Sequence, residues 1–190
     1  MPILLLQIVL LIIVSVDSVI RAIPKSFVIL SNLQSGSNIG SICRNCLSFG
    51  VSEVLIVGRS NYKGKMRLAD RGAKEKLKFK VFSSTGEAVS YLKDPEIDAE
   101  VIGLEIMDES ECLKNLKYSP GRNTAFIFGN EGKGLSDKQR SVCDRFCYIP
   151  QFSTGMASIN VSCCSAIILH HFASSAGYEE AEIIGEKFAQ

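Results

Sequence analysis

Short apolar runs recur along the chain, each bounded by polar or turn-forming residues. Ser26–Ser31 (SFVILS), Glu53–Val57, Phe79–Phe82, Ala99–Glu105, Ala125–Phe128 and Phe146–Ile149 have the length and the Val, Ile and Phe content of strands. Between them lie segments with helical spacing. Asn38–Ser48 reads as a helix closed by Gly50 at the C-cap. Further helices are predicted near Leu68–Lys76, over Thr85–Leu92 and from Ser136, with Asp137 in its first turn. The last is a long apolar helix, Ser158–Ala173. Strands alternating with helices at this spacing predict an α/β fold, a parallel sheet with helices on both faces. In such sheets ligands bind at the carboxyl ends of the strands.

At 190 residues the chain has room for one domain with one sizeable core. The net charge of +1 says nothing about nucleic acid, but the charge is unevenly placed. Arg59–Lys80 holds nine Lys or Arg against Asp70 and Glu75. That stretch is either a solvated helix face or a surface for phosphate backbones, with Lys63, Lys65, Arg67 and Arg71 the candidate contacts. Seven cysteines, an odd number in a chain this long, do not make a disulfide framework. Cys43, Cys46, Cys163 and Cys164 fall in apolar helical runs and read as buried free thiols. His170 and His171 have no ligand spacing to them, so no metal site is expected.

Residues 1–22 stand apart as a hydrophobic leader. Ile3–Val16 contains only Gln7 and Ser15 as polar residues, yet fourteen residues are short for a membrane span, and no Lys or Arg precedes them. A secretory signal or anchor, an organelle-targeting leader and a misassigned gene start all fit. A membrane partner follows only if the leader is an uncleaved anchor, and the compartment (cytoplasm, nucleus or organelle) stays open. The domain is expected over 23–176, with a tail over 177–190.

The stretch FGNEGKGLS, 128–136, invites comparison with a phosphate cradle. A Walker loop requires lysine two positions beyond Lys133, where this chain has Leu135, and the dinucleotide spacing G-x-G-x-x-G is absent. What remains is a strand entering a tight glycine loop, open to close approach by a ligand. Three such strand-to-helix junctions carry unusual polar residues. The first runs from Asn38 to Arg44, the second from Gly129 to Leu135 and the third from Ile149 to Ser162.

Together these stretches resemble the three signature motifs of the SpoU (TrmH-like) branch of the SPOUT RNA methyltransferases. Asn38, Gly40 and Arg44 meet N-x-G-x-x-x-R. Gly129, Glu131, Gly132 and Gly134 meet G-x-E-G-x-G. Ile149 and Pro150, followed by Ser158, Ile159, Asn160, Val161 and Ser162, meet the third motif. Gln151 stands where methionine is common, and Ile159 where leucine is usual. The resemblance covers about residues 26–176.

The resemblance implies a C-terminal trefoil knot, which strand counting does not suggest because chains avoid knots. It also implies a homodimer, S-adenosylmethionine as cofactor, and methyl transfer to a ribose 2′-hydroxyl of tRNA or rRNA. Leu104, Gly129, Gly134, Ile149 and Ile159 are the implied cofactor contacts, and Asn38, Arg44, Glu131, Ser158 and Asn160 the implied catalytic set. The resemblance makes Arg44 the proposed base, but arginine normally stays protonated, so holding a phosphate or stabilising an oxyanion suits it better. Asn38 and Asn160 are expected to orient Arg44 and the ribose. Glu131 is expected to fix Arg44 or a nearby backbone N–H, and Ser158 to cap the last helix. Lys133 is placed outside the catalytic set. A catalytically silent, knotted RNA-binding protein is the alternative reading.

Overall fold

The computed structural model describes residues 23–58 and 76–188. Within them, seven strands form one wholly parallel sheet: β1 (Ser26–Leu30), β2 (Glu53–Val57), β3 (Phe79–Phe82), β4 (Ala99–Leu104), β5 (Glu111–Cys112), β6 (Asn123–Phe128) and β7 (Arg145–Tyr148). Their spatial order is β3-β2-β1-β6-β4-β7-β5. The helices are α1 (Gly36–Ser48), α2 (Thr85–Leu92), α3 (Asp137–Arg140) and α4 (Val161–Ser175). A small antiparallel hairpin, β8 (Ile183–Ile184) with β9 (Lys187–Phe188), ends the described chain.

The central strands are apolar without alternation because both faces of the sheet are covered. Successive side chains point to opposite faces. Val28 and Leu30 of β1 therefore join one core with Ile39, Ile42, Ile168 and Phe172 from α1 and α4. Phe27 and Ile29 join the other with Ala88, Val89 and Leu92 of α2. The chain leaves β1 in one direction to build β2 and β3, then returns to build β6 and β4 on the other side. This reversal creates the crevice that α/β sheets use for ligands.

Several element boundaries differ from expectation. Helix α1 begins at Gly36 rather than Asn38, because the Ser35 side chain accepts the Asn38 N–H and caps it. Helix α4 begins at Val161 rather than Ser158 and runs to Ser175. Its cap is Asn160, whose side chain accepts the Ser162 N–H, and not Ser158. The helix expected from Ser136 has four residues, closed when Gln139 Oε1 accepts the Ser136 N–H at 2.9 Å. Strand β5 has two residues and leaves no periodic trace in the sequence. The expected basic helix falls almost wholly on residues 59–75, outside the described residues.

Both helices that flank the site end the same way. Gly50 and Gly177 take the left-handed conformation (φ 67° and 71°). The following residues return to the last turn, with Val51 N donating to Cys46 O at 2.9 Å and Tyr178 N to Ala173 O at 3.0 Å. This is the paired bonding of a glycine-terminated helix. It delivers Tyr178, from the expected tail, onto Phe172, and its hydroxyl donates to Pro24 O at 2.9 Å. Cys43 and Cys46 are buried and in no disulfide, as expected, but Cys163 is exposed, because α4 turns that face away from α1. Among the described residues no helix is long and apolar enough to cross a membrane.

Candidate functional site

The carboxyl ends of β4, β6 and β7 open into a cleft of about 370 Å³, within the range of small-molecule sites. Leu104, Gly129, Gly134, Ile149 and Ile159 all line it, so the five expected cofactor contacts converge on one space. Glu131, Ser158 and Asn160 line it too, whereas Asn38 and Arg44 stand outside the lining.

The glycine loop is shaped by main-chain pairing. Asn130 N donates to Gly134 O at 2.9 Å and Gly134 N to Asn130 O at 3.0 Å, closing a five-residue loop. The Asn130 side chain braces it, accepting Gly132 N at 3.0 Å and donating to Asn32 O at 2.9 Å. Gly129 must lack a side chain, since a Cβ there would lie 2.6 Å from Leu135 N and 2.7 Å from Gly134 Cα. Gly134 adopts φ 66°, a left-handed conformation that glycine tolerates. The loop exit is tied to β1 by buried Gln139, whose Nε2 donates to Ser31 O at 3.3 Å.

Glu131 links this loop to α1. Its Oε1 accepts Ser35 N at 3.0 Å and Asn38 Nδ2 at 3.1 Å, and its Oε2 accepts Gln34 N at 3.2 Å. Asn38 Oδ1 in turn accepts Asn160 Nδ2 at 3.2 Å, and Asn160 Oδ1 accepts Ser162 N at 2.8 Å. A carboxylate only accepts, so it fixes which end of the Asn38 amide faces it, and Asn38 then fixes Asn160. All three motifs are joined in one directional relay. Burial pushes the Glu131 carboxyl up, but the donors from Ser35, Asn38 and Gln34 outweigh it, so its pKa lies below the ordinary value.

Arg44 is not part of the relay. It is half-buried on α1 and donates from Nη2 to Ser41 Oγ at 3.1 Å. Among the described residues no hydrogen bond joins it to Glu131, Asn38 or Asn160. The expected orientation of Arg44 by the two asparagines is therefore not observed: Asn38 bonds to Glu131 and Asn160, and Asn160 Oδ1 accepts the Ser162 N–H. Of the two roles expected for Glu131, the fixing of backbone N–H groups is the one observed. Lys133 is exposed at the loop tip. Lys63, Lys65, Arg67 and Arg71 lie outside the described residues.

Two residues of the site carry no motif signal. Asn130 occupies a variable motif position, and Glu105 follows β4. Glu105 lines the cleft, and its Oε2 accepts Leu135 N at 2.5 Å. Its place at a strand's carboxyl end was the available clue.

Chemically, the lining holds two carboxylates, Glu105 and Glu131, and among the described residues no Lys, Arg or His. Such a cleft disfavours a polyphosphate and suits a cation or a neutral ligand. Burial pushes the Cys147 thiol up to about 12 and the Cys164 thiol up to about 11, so neither is a ready nucleophile near neutral pH. Among the described residues no three His, Cys, Asp or Glu side chains gather as a metal site.

A parallel α/β sheet with a glycine-clasped cleft at its carboxyl edge defines an α/β ligand-binding class. Comparison with known proteins narrows it. Residues 25–170 match the SpoU rRNA Methylase family, and the chain belongs to it. It is similar to rRNA methyltransferase 1, mitochondrial, of Dictyostelium discoideum, 27% identical over 153 residues, 78% of this chain and 29% of that protein. It is also similar to the 23S rRNA (adenosine(1067)-2′-O)-methyltransferase of Streptomyces azureus, 30% identical over 150 residues, 75% of this chain and 52% of that protein. The SpoU methyltransferase AviRb of Streptomyces viridochromogenes, solved in complex with AdoMet, has the same fold. Its TM-score is 0.69 at 21% identity, covering 82% of this chain and 58% of that one. The chain spans about half, or less, of the length of these curated relatives.

Proposed function

We propose that this protein is an S-adenosylmethionine-dependent RNA methyltransferase acting on a ribose 2′-hydroxyl. Ribosomal RNA is the favoured substrate class, because both relatives above are named for it. The observation that carries the reading is the convergence of all five expected cofactor contacts on one cleft, with no cation among its described lining residues, beside the Glu131–Asn38–Asn160 relay.

The residues present fit the cofactor. Gly129 and the paired Asn130–Gly134 loop expose main-chain groups to an adenosine, and the apolar wall of Leu104, Ile149 and Ile159 covers it. The sulfonium of S-adenosylmethionine makes its methyl group electrophilic. The protein's own task is then chiefly alignment. Asn160 stands at the cleft wall with its amide direction fixed, so it can hold a ribose oxygen at a defined orientation. Ser158, exposed on the lining, offers a hydroxyl to the same sugar. Arg44, outside the relay, is available to hold the substrate phosphate and to stabilise negative charge on the attacking oxygen. The Arg59–Lys80 segment supplies further phosphate contacts in this reading.

A homodimer and the trefoil knot belong to the same proposal. From Ile149 to Tyr178 the sequence has no Asp, Glu, Lys or Arg. Phe152 and Met156 are 87% and 75% exposed, and Ile167 and Cys163 face outward from α4. An uncharged, apolar stretch of this kind suits a second copy of the chain. The test is transfer of a labelled methyl group from S-adenosylmethionine to RNA by the purified protein. The silent RNA-binding alternative predicts RNA affinity with no transfer.

A further inference from the structure

The two carboxylates of the cleft are used differently. Glu131 accepts hydrogen bonds on both oxygens, from Ser35, Asn38, Gln34 and Asn130. Glu105 commits Oε2 to Leu135 N at 2.5 Å, while Oε1 accepts only the adjacent Ile106 N at a long 3.3 Å. Its main chain is pinned on both sides, with Glu105 N donating to Cys147 O at 3.1 Å and Ser110 Oγ donating to Glu105 O at 2.8 Å. A Cβ on Gly134 would collide with the Glu105 carboxylate, so the two positions are packed as a pair. Among the described residues Glu105 has no salt-bridge partner, and no cation lines the cleft.

We propose that Glu105 is a cofactor-binding residue. It recognises the positive charge of S-adenosylmethionine while its other oxygen positions the Gly134–Leu135 backbone. This rests on the cofactor reading above and goes beyond the motif residues. S-adenosylmethionine carries a sulfonium and an ammonium against one carboxylate, for a net charge of +1. Once its methyl group has gone to the acceptor oxygen, the sulfonium has become a neutral thioether. A half-buried carboxylate with no cationic partner among the described residues therefore holds the cofactor before transfer more tightly than the spent product. Glu105 thus contributes to exchanging product for fresh cofactor as well as to binding.

The test is calorimetric titration of the full chain with S-adenosylmethionine and, separately, S-adenosylhomocysteine. In Glu105→Gln the amide oxygen still accepts Leu135 N–H, so the loop stays positioned and only the charge is lost. The expected result is an S-adenosylmethionine Kd raised about tenfold, as for one unit charge screened nearly as in water, with S-adenosylhomocysteine changed less than about twofold. Glu105→Ala, which also releases the loop, weakens both. Equal weakening of both ligands by Glu105→Gln, or no change in either, overturns the proposal. A wild-type protein that binds neither ligand overturns the cofactor reading itself and this inference with it. If Glu105→Gln does not fold, salt decides on the wild type. Between about 0.05 and 0.5 M salt the S-adenosylmethionine affinity falls and the S-adenosylhomocysteine affinity holds. Parallel curves contradict the charge role.

Discussion

Asn160 donates its side-chain amide to Asn38 Oδ1 at 3.2 Å, across 122 residues of chain. The two residues cap or flank the N-termini of α4 and α1, which pack against each other, and Asn45 adds a second tie by donating to Ser162 O at 2.8 Å. The contact passes the orientation set by Glu131 through α1 to the wall of the cleft. Asn38→Ala breaks that transmission without touching the lining. Methyl transfer is expected to fall at least tenfold, about 1.4 kcal/mol of barrier, while S-adenosylmethionine affinity stays within about threefold. In a double-mutant cycle, Glu131→Gln and Asn160→Ala are expected to couple by roughly 0.5–3 kcal/mol. Additive effects on the rate would show that the relay is not one unit.

The depressed Glu131 pKa sets a pH dependence. A carboxyl with a lower pKa in the fold than in the unfolded chain contributes stability above its ordinary value of 4.5. That contribution is lost as pH falls through the folded pKa, because the unfolded chain then binds the proton first. Glu131→Gln is expected to flatten the fall of the urea midpoint below about pH 4.5 relative to wild type. The effect is small, since Glu131 is exposed. Identical slopes in the two proteins would remove the donors from Ser35, Asn38 and Gln34 as its cause.

The motif glycines are not equivalent. At Gly129 an added Cβ meets the main chain of Gly134 and Leu135, which cannot swing aside. Gly129→Ala is expected to cost roughly 1–3 kcal/mol of stability and to abolish measurable cofactor binding. At Gly132 the nearest atom to an added Cβ is Asn130 Oδ1 at 3.9 Å, an ordinary contact. Gly132→Ala is expected to bind S-adenosylmethionine within about threefold of wild type and to unfold at about the same temperature. Calorimetry and thermal unfolding of the pair check both expectations.

Arg44 gives a different signature. It lies outside the relay and outside the lining, so Arg44→Ala is expected to leave cofactor affinity and fold intact while methyl transfer nearly disappears. Lysine lacks the planar donor fork, so Arg44→Lys is not expected to restore activity. More than about a tenth of the wild-type rate in Arg44→Ala would mean that its contribution is under roughly 1.4 kcal/mol, and its assigned role would fail.

Strands β1, β2 and β6 were legible because each holds a continuous apolar run, as burial on both faces requires. The site loops were legible because three motifs fall at carboxyl ends of strands. The starts of α1 and α4 were not. Ser158 and Asn160 are both acceptable caps, and only the path of the loop after β7 decides for Asn160. Strand β5 was invisible because two residues, Glu111 and Cys112, carry no period. Glu131 was expected to have an acceptor's role, but whether it held Arg44 or the start of α1 depended on how two distant elements dock. Cys163 looked buried because a nearly uniform apolar helix does not announce which face packs. Glu105 escaped notice because a single carboxylate after a strand has no pattern until Leu135, 30 residues later, is seen to bond to it.

The most direct test of the account uses the purified wild-type protein, methyl-labelled S-adenosylmethionine and total RNA, followed by digestion to nucleosides. The label is expected to appear in 2′-O-methylated nucleosides, to depend on intact Arg44, and to need no added metal. A protein that binds both S-adenosylmethionine and RNA, yet leaves every ribose unlabelled across tRNA and ribosomal RNA, would contradict it and support the silent RNA-binding reading instead.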